Sequence, residues 1–288
     1  MLTPEEIRQI RHLQLQAGHR VDSLFAGNYR SAFRGRGMEF EEVRPYLPGD
    51  DVRHIDWNVT ARTGDAFVKE FREERQLTLL IAMDVSGSLG FGSGGRDGRT
   101  DKALQQARIG AALAHAATRN NDQVGLLAFH HEVVTYIPPR RSRGHTWRVI
   151  RSVFSHRAER GGTRLTGAIE YLGRVLPRRS VVCLVSDFID PEPWDRALGP
   201  LARRHRMNAF LIHDPRELAL PRVGLVEIQD PETGRRVLVD TARVRFQFGV
   251  DQRMERLRRV GVHTTAVSTM DDPFLRLVEH FRRLERLR

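Results

Sequence analysis

Cysteine is almost absent from this chain. The single one, Cys183, excludes an intramolecular disulfide, and within SVVCLVSDF it reads as a small core residue. Lysine is nearly as scarce. Of 47 basic residues only Lys69 and Lys102 are lysines, the rest being arginines. Aromatic residues make up 7%, and none interleave with basic runs as a nucleic-acid stacking platform requires. No apolar run approaches the roughly 18 residues that span a bilayer, so membrane insertion is not expected. The opening MLTPEEIRQIRHLQ is charged throughout and has no signal-peptide core, which makes a cytoplasmic location the expectation. A Gly-Lys-Ser/Thr phosphate loop is also missing, so any ATP hydrolysis must come from a partner.

The net charge of +11 invites a nucleic-acid reading. The arginines are spread along the whole chain, however, and an acidic protein partner explains a basic surface at least as well. No nucleic-acid partner is therefore expected. With 288 residues and 40% hydrophobic content, the chain can bury one large core and carry a small appendage.

Two parts are legible. Residues 1–75 read as an N-terminal α+β extension: an amphipathic helix over 4–25, an extended run at Met38–Tyr46, a PGDD turn, and a strand at Ala66–Glu73. Residues 76–288 alternate short apolar strands with helices, which implies a mostly parallel, doubly wound α/β sheet covered on both faces. Gln123–Phe129 and Val133–Ile137 read as a hairpin. A second one, Val223–Ile228 with Arg236–Val239 around DPETG, is expected as an insert near 222–240.

The richest stretch is LTLLIAMDVSGS, Leu77 to Ser88. A buried apolar strand delivers Asp84, Ser86 and Ser88 into a loop at its C-terminal end, where open α/β sheets bind ligands. One carboxylate and two hydroxyls are hard oxygen donors, suited to a Mg²⁺-like ion that leaves a coordination position open. Asp-Ser is also an ordinary loop start or helix cap. Two further oxygens fall at neighbouring loops of such a sheet: Thr163, after a GG pair and just before a helix, and Asp187, ending the apolar strand of LVSDF. Alone, Thr163 could cap its helix and Asp187 could be a solvated loop acid.

The set Asp84, Ser86, Ser88, Thr163 and Asp187 resembles the metal-ion-dependent adhesion site of von Willebrand factor A domains. The segment RGRGMEFEEVRPYLPGDDVRHIDWNVTARTGDAFVKEFREER, Arg34–Arg75, resembles the signature of the family called domain of unknown function 58. Its members are bacterial and archaeal proteins commonly encoded beside MoxR-type AAA+ ATPases. The resemblance runs from about Asn28 to Phe281. It implies an A-domain fold, with Ser86 and Ser88 as direct ligands of Mg²⁺ (Mn²⁺ or Ca²⁺ as alternatives). Thr163 would be a direct or water-bridged ligand, and Asp84 and Asp187 charge-balancing acids. It further implies a non-catalytic, metal-dependent adaptor that works with a MoxR-type ATPase and an acidic client in chaperone-like assembly or remodelling. Leu89 stands where that family more often has methionine.

Other constellations compete. A Mg²⁺-dependent phosphoester hydrolase would also start from Asp84, but it needs a second carboxylate two residues on as general acid, and Ser86 stands there. Gly90-x-Gly92-x-x-Gly95 formally matches a dinucleotide fingerprint, yet begins too far beyond the strand. Asp50, Asp51, His54, Asp56 and Glu70 could form a second metal site. Interspersed Arg44, Arg53, Arg62 and Arg72 make a salt-bridged surface the expectation. Ile55 and Trp57 of PGDDVRHIDW are expected to pack against the A domain and anchor the N-terminal layer.

Overall fold

A strand covered on both faces needs apolar side chains at every position. Leu79–Met83 and Val181–Val185 meet that demand, and every one of these side chains is buried. The computed structural model describes residues 29, 38–73, 77–90, 101–156, 162–176, 179–218, 223–229, 234–241 and 249–287. The expected helix at 4–25 and the glycines Gly92 and Gly95 lie outside these residues.

Residues 33–77 form one unit. Strands β1 (Met38–Pro45) and β2 (Phe67–Glu73) pair antiparallel, with a register shift between Phe40 and Glu42. Between them lies α1 (Trp57–Thr63), whose first N–H groups are capped by Asp56 Oδ1, at 3.0 Å from Asn58 N and 3.3 Å from Val59 N. The acids of this segment are engaged by cations, as expected for a salt-bridged surface. Arg44 meets Asp50 at 2.7 Å and Glu70 at 3.4 Å, and Arg53 meets Asp51 at 2.7 Å. Asp56 differs in its partner, which is Lys69 at 3.5 Å. Ile55 bridges Val68 within this unit, whereas Trp57 is 70% exposed.

The larger unit takes in residues 1–32 and 78–288. Tyr29 belongs to this unit. The Tyr29 ring is buried and meets Phe281 edge-on, centroids 5.7 Å apart. The chain runs through β3 (Thr78–Asp84), α2 (Lys102–Arg119), β4 (Gln123–Phe129), β5 (Val133–Arg140), α3 (Arg143–Ser155) and α4 (Leu165–Val175). It continues through β6 (Val181–Ser186), α5 (Asp195–Arg204), β7 (Arg206–His213) and α6 (Pro215–Leu218). It closes with β8 (Leu225–Gln229), β9 (Arg236–Asp240), α7 (Val250–Arg259), β10 (His263–Ser268) and α8 (Pro273–Arg286).

Six strands form one sheet in the order β10-β7-β6-β3-β4-β5, parallel except for β5, which returns beside β4 as a hairpin. Strands β8 and β9 make a separate antiparallel hairpin. Side chains alternate between the two faces. Leu80 and Ala82 join a core with Leu165, Ile169 and Leu172 of α4, Leu198 of α5 and Leu257 of α7. Met83 faces the other way, toward Gly110 of α2; a Cβ at Gly110 would stand 3.1 Å from Met83 Sδ and 3.2 Å from Val153 of α3. The winding direction reverses between β3 and β6: β4 lies to one side, β7 and β10 to the other. Such a switch point opens a crevice at the C-terminal strand ends. Asp84 ends β3 there, and Asp187 directly follows β6.

Candidate metal centre

The turn after β3 is built by its own side chains. Asp84 Oδ1 accepts the N–H of Ser86 at 2.9 Å, folding the chain back into a 3-10 turn at Gly87–Gly90. That fold brings the hydroxyls of Ser86 and Ser88 to 3.1 Å from one another. Ser86 is fully buried and Ser88 partly so. Asp84 Oδ2 accepts the hydroxyl of Ser186, the last residue of β6, at 2.6 Å. The same Ser186 oxygen accepts the N–H of Phe188 at 2.9 Å, in a turn where Phe188 takes a left-handed φ of 56°. Asp84 is thus joined to the adjacent strand end by a two-bond relay.

Asp187 is fully buried, so it is no solvated loop acid. Its Oδ1 accepts Ile189 N at 3.1 Å, its Oδ2 accepts Lys102 Nζ at 2.9 Å, and its carbonyl accepts Arg253 Nη1 at 2.5 Å. Lys102 Nζ also donates to Glu217 Oε1. Burial disfavours the ammonium, but Asp187 and Glu217 outweigh that and raise its pKa above the ordinary lysine value. Burial, and then the charge of Asp187, push Asp84 up to about 7.

Thr163 is buried, two residues ahead of α4. It is not the cap of that helix, since the cap position is Arg164. The loop is tied to the strand ends on both sides: Arg164 N donates to His130 O at 3.1 Å, and Leu165 N donates to Asp190 Oδ2 at 2.7 Å. The structure therefore joins Asp84, Ser86 and Ser88 by direct bonds and couples Asp84 to Asp187 by charge. Thr163 is placed on a loop anchored to the Asp187 segment.

Among the described residues, no group of three or more His, Cys, Asp or Glu side chains is arranged to hold a metal ion. A cation here would depend on hydroxyls. The donor chemistry fits one. Burial and the charge of Asp187 raise the Asp84 carboxyl, and among the described residues its oxygens accept hydrogen bonds only from neutral groups. The two serine oxygens lie side by side at the mouth of the turn. Hard oxygen donors of this kind suit Mg²⁺ or Mn²⁺.

Several participants left little local trace in the sequence. The first turns of α2 supply Lys102, Gln105 and Gln106, all buried. Gln106 donates to Asp84 O, and Gln105 donates to Ser268 O at 2.9 Å and Asp271 O at 2.7 Å beyond β10. One helix start thus holds the ends of β3, β6, β7 and β10 together. The scarcity of lysine was the available signal: in a chain that uses arginine almost everywhere, Lys102 marks a site with a different requirement.

Residues 42–258 match the family described as Protein of unknown function DUF58. The chain belongs to that family. An uncharacterized protein of Mycobacterium bovis is 34% identical over 233 residues, covering 80% of this chain and 72% of the relative. Among solved structures, an aerotolerance-related membrane protein from Bacteroides fragilis superposes with a TM-score of 0.52 at 16% identity, over 73% of this chain and 99% of that one. The VWA domain of SpRpn10 gives a TM-score of 0.40 at 11% identity, over 70% of this chain and 94% of that one. The DUF58 chain shares the fold of that Bacteroides fragilis protein, a mostly parallel α/β sheet flanked by helices, with the β8–β9 hairpin set between β7 and β10 in the chain. Among the described residues, no helix is long and apolar enough to cross a membrane.

Proposed function

We propose that this DUF58 protein is a non-catalytic, metal-dependent adaptor that presents its β3–β6 strand ends to an acidic partner and works with a MoxR-type AAA+ ATPase. The observation that carries the reading is the serine pair. Ser86 and Ser88 hold two hydroxyls 3.1 Å apart beside the buried carboxylate of Asp84, at the switch point of the sheet. Ser86, Ser88 and Thr163 would hold a divalent ion, with Asp84 and Asp187 balancing its charge. When bound, that ion supplies a Lewis-acidic position for a partner's carboxylate.

The chain's own residues prepare the position. The Asp84 carboxylate holds the turn through Ser86 N–H, and Ser186 fixes that carboxylate to the next strand. The Lys102 and Arg253 contacts fix Asp187 from behind. Such preorganisation lowers the ordering cost of binding. The basic surface, with a net charge of +11, steers an acidic partner toward it. Hydrolysis at Asp84 has less support, because the position for a general acid is Ser86.

The test is affinity capture from the source lysate with wild-type protein in Mg²⁺, wild-type protein in EDTA, and Ser86→Ala in Mg²⁺. Recovery of an AAA+ ATPase only in the first sample is the expected result. Equal recovery in all three would move the interface away from the metal centre. Failure to recover one in any sample contradicts the adaptor reading.

A further inference from the structure

Lys102 stands where a cation is costly. It is the first residue of α2, where unpaired backbone N–H groups already present partial positive charge. Its side chain has no exposure to solvent, and lysine is almost never fully buried unless paired. The pairing is specific: Nζ lies 2.9 Å from Asp187 Oδ2 and also bonds Glu217 Oε1. A compact ammonium with rotatable donors can serve carboxylates from two separate loops, a task poorly matched by a planar guanidinium.

The result is an uneven pair of acids. Asp187 carries a cation on one oxygen. Among the described residues, Asp84 is bonded only to neutral groups, Ser86 N–H and Ser186 O–H. We infer that Lys102 sets the centre's affinity for an outside anion: by neutralising Asp187, it leaves a divalent ion facing one uncompensated carboxylate and a set of hydroxyls. This rests on the metal-centre reading above. An ion held by so little negative charge keeps a net positive charge, and a carboxylate is the hard anionic ligand that satisfies it. With Lys102 neutral, Asp187 would direct its charge at the ion instead. Metal affinity would rise and the benefit of an outside carboxylate would fall.

The experiment is calorimetric titration of Mn²⁺ into wild type, Lys102→Met and Lys102→Arg, each with and without acetate as the carboxylate probe. Lys102→Met is expected to bind Mn²⁺ about tenfold tighter or more, because a like charge near the ion has been removed. Acetate should then strengthen Mn²⁺ binding in wild type and Lys102→Arg, and not in Lys102→Met. A lysine that merely holds loops together predicts the opposite sign, since its loss loosens the site. Lys102→Met that binds Mn²⁺ equally or more weakly overturns the inference. Should that variant fail to fold, Lys102→Met combined with Glu217→Gln is compared with Glu217→Gln alone, and tighter Mn²⁺ binding by the double variant carries the same expectation. Wild type that binds no Mn²⁺ overturns the metal centre together with this inference. Wild type that binds, without a tighter Met variant, overturns the inference alone.

Discussion

Asp190 caps a helix that begins 25 residues before it. Its Oδ2 accepts the N–H of Leu165, the first residue of α4, at 2.7 Å, while its Oδ1 accepts Glu192 N at 2.8 Å. One carboxylate thus holds the loop of Thr163 against the loop that follows Asp187.

Asp190→Ala removes that cap and leaves two N–H groups without their partner. A loss of about 1–2 kcal/mol in urea unfolding is expected, the range for a deleted helix cap. Mn²⁺ affinity should fall with it, because Thr163 loses its fixed position. Asp190→Asn keeps one acceptor oxygen for two N–H groups and sets its amide NH2 against the other, so it should restore only part of either.

Proton and cation compete at Asp84. Its pKa is raised to about 7 by burial first and Asp187 second, so below that pH the carboxyl is increasingly neutral. Mn²⁺ affinity is expected to fall about tenfold per pH unit below 7. The stability linkage has its own sign. A carboxyl with a folded pKa above its unfolded value makes the metal-free protein less stable as pH rises from about 4 to about 7. Titrations at pH 5.5, 6.5 and 7.5 check the binding slope, and a flat profile would show that Asp84 does not face the ion.

His280 acts in the opposite direction. It is buried, its Nδ1 lies 2.8 Å from Thr265 Oγ1, and its Nε2 lies 3.0 Å from Asn208 Oδ1. Burial, followed by the charges of Arg283 and His263, lowers its pKa to about 3. The unfolded chain takes up the proton near pH 6.5 and the folded chain does not. Stability from this group is therefore lost as pH falls from about 6.5 toward 3, at a limiting slope of about 1.4 kcal/mol per pH unit. Unfolding curves of wild type and His280→Gln across that window should differ by this slope.

Gly125 is a packing constraint on β4. A Cβ there would stand 2.7 Å from Ile137 O and 2.8 Å from Pro139 N on β5. Neither backbone atom can move without shifting the edge strand. Gly125→Ala should cost roughly 1–3 kcal/mol by overpacking, read from thermal or urea unfolding.

Much of the fold was legible because its signals are local. Unbroken apolar runs marked β3 and β6, and DPETG between two short β-prone runs marked the β8–β9 hairpin. Asp84, Ser86 and Ser88 were legible for the same reason: one turn holds all three. The restraints on Asp187 were not, because Lys102 lies 85 residues away in sequence and Arg253 lies 66 away. Helical periodicity also treats Lys102, Gln105 and Gln106 as polar positions, which ordinarily face water. Their burial follows from the meeting of four strand ends over one helix start, a tertiary fact without a local pattern.

The most direct test of the metal centre is Mn²⁺ binding to wild type and Ser86→Ala at pH 7.5, with circular dichroism confirming that both are folded. The serine pair predicts saturable binding by wild type and its loss in Ser86→Ala. Equal binding by the two folded proteins would contradict the assignment of these hydroxyls as ligands.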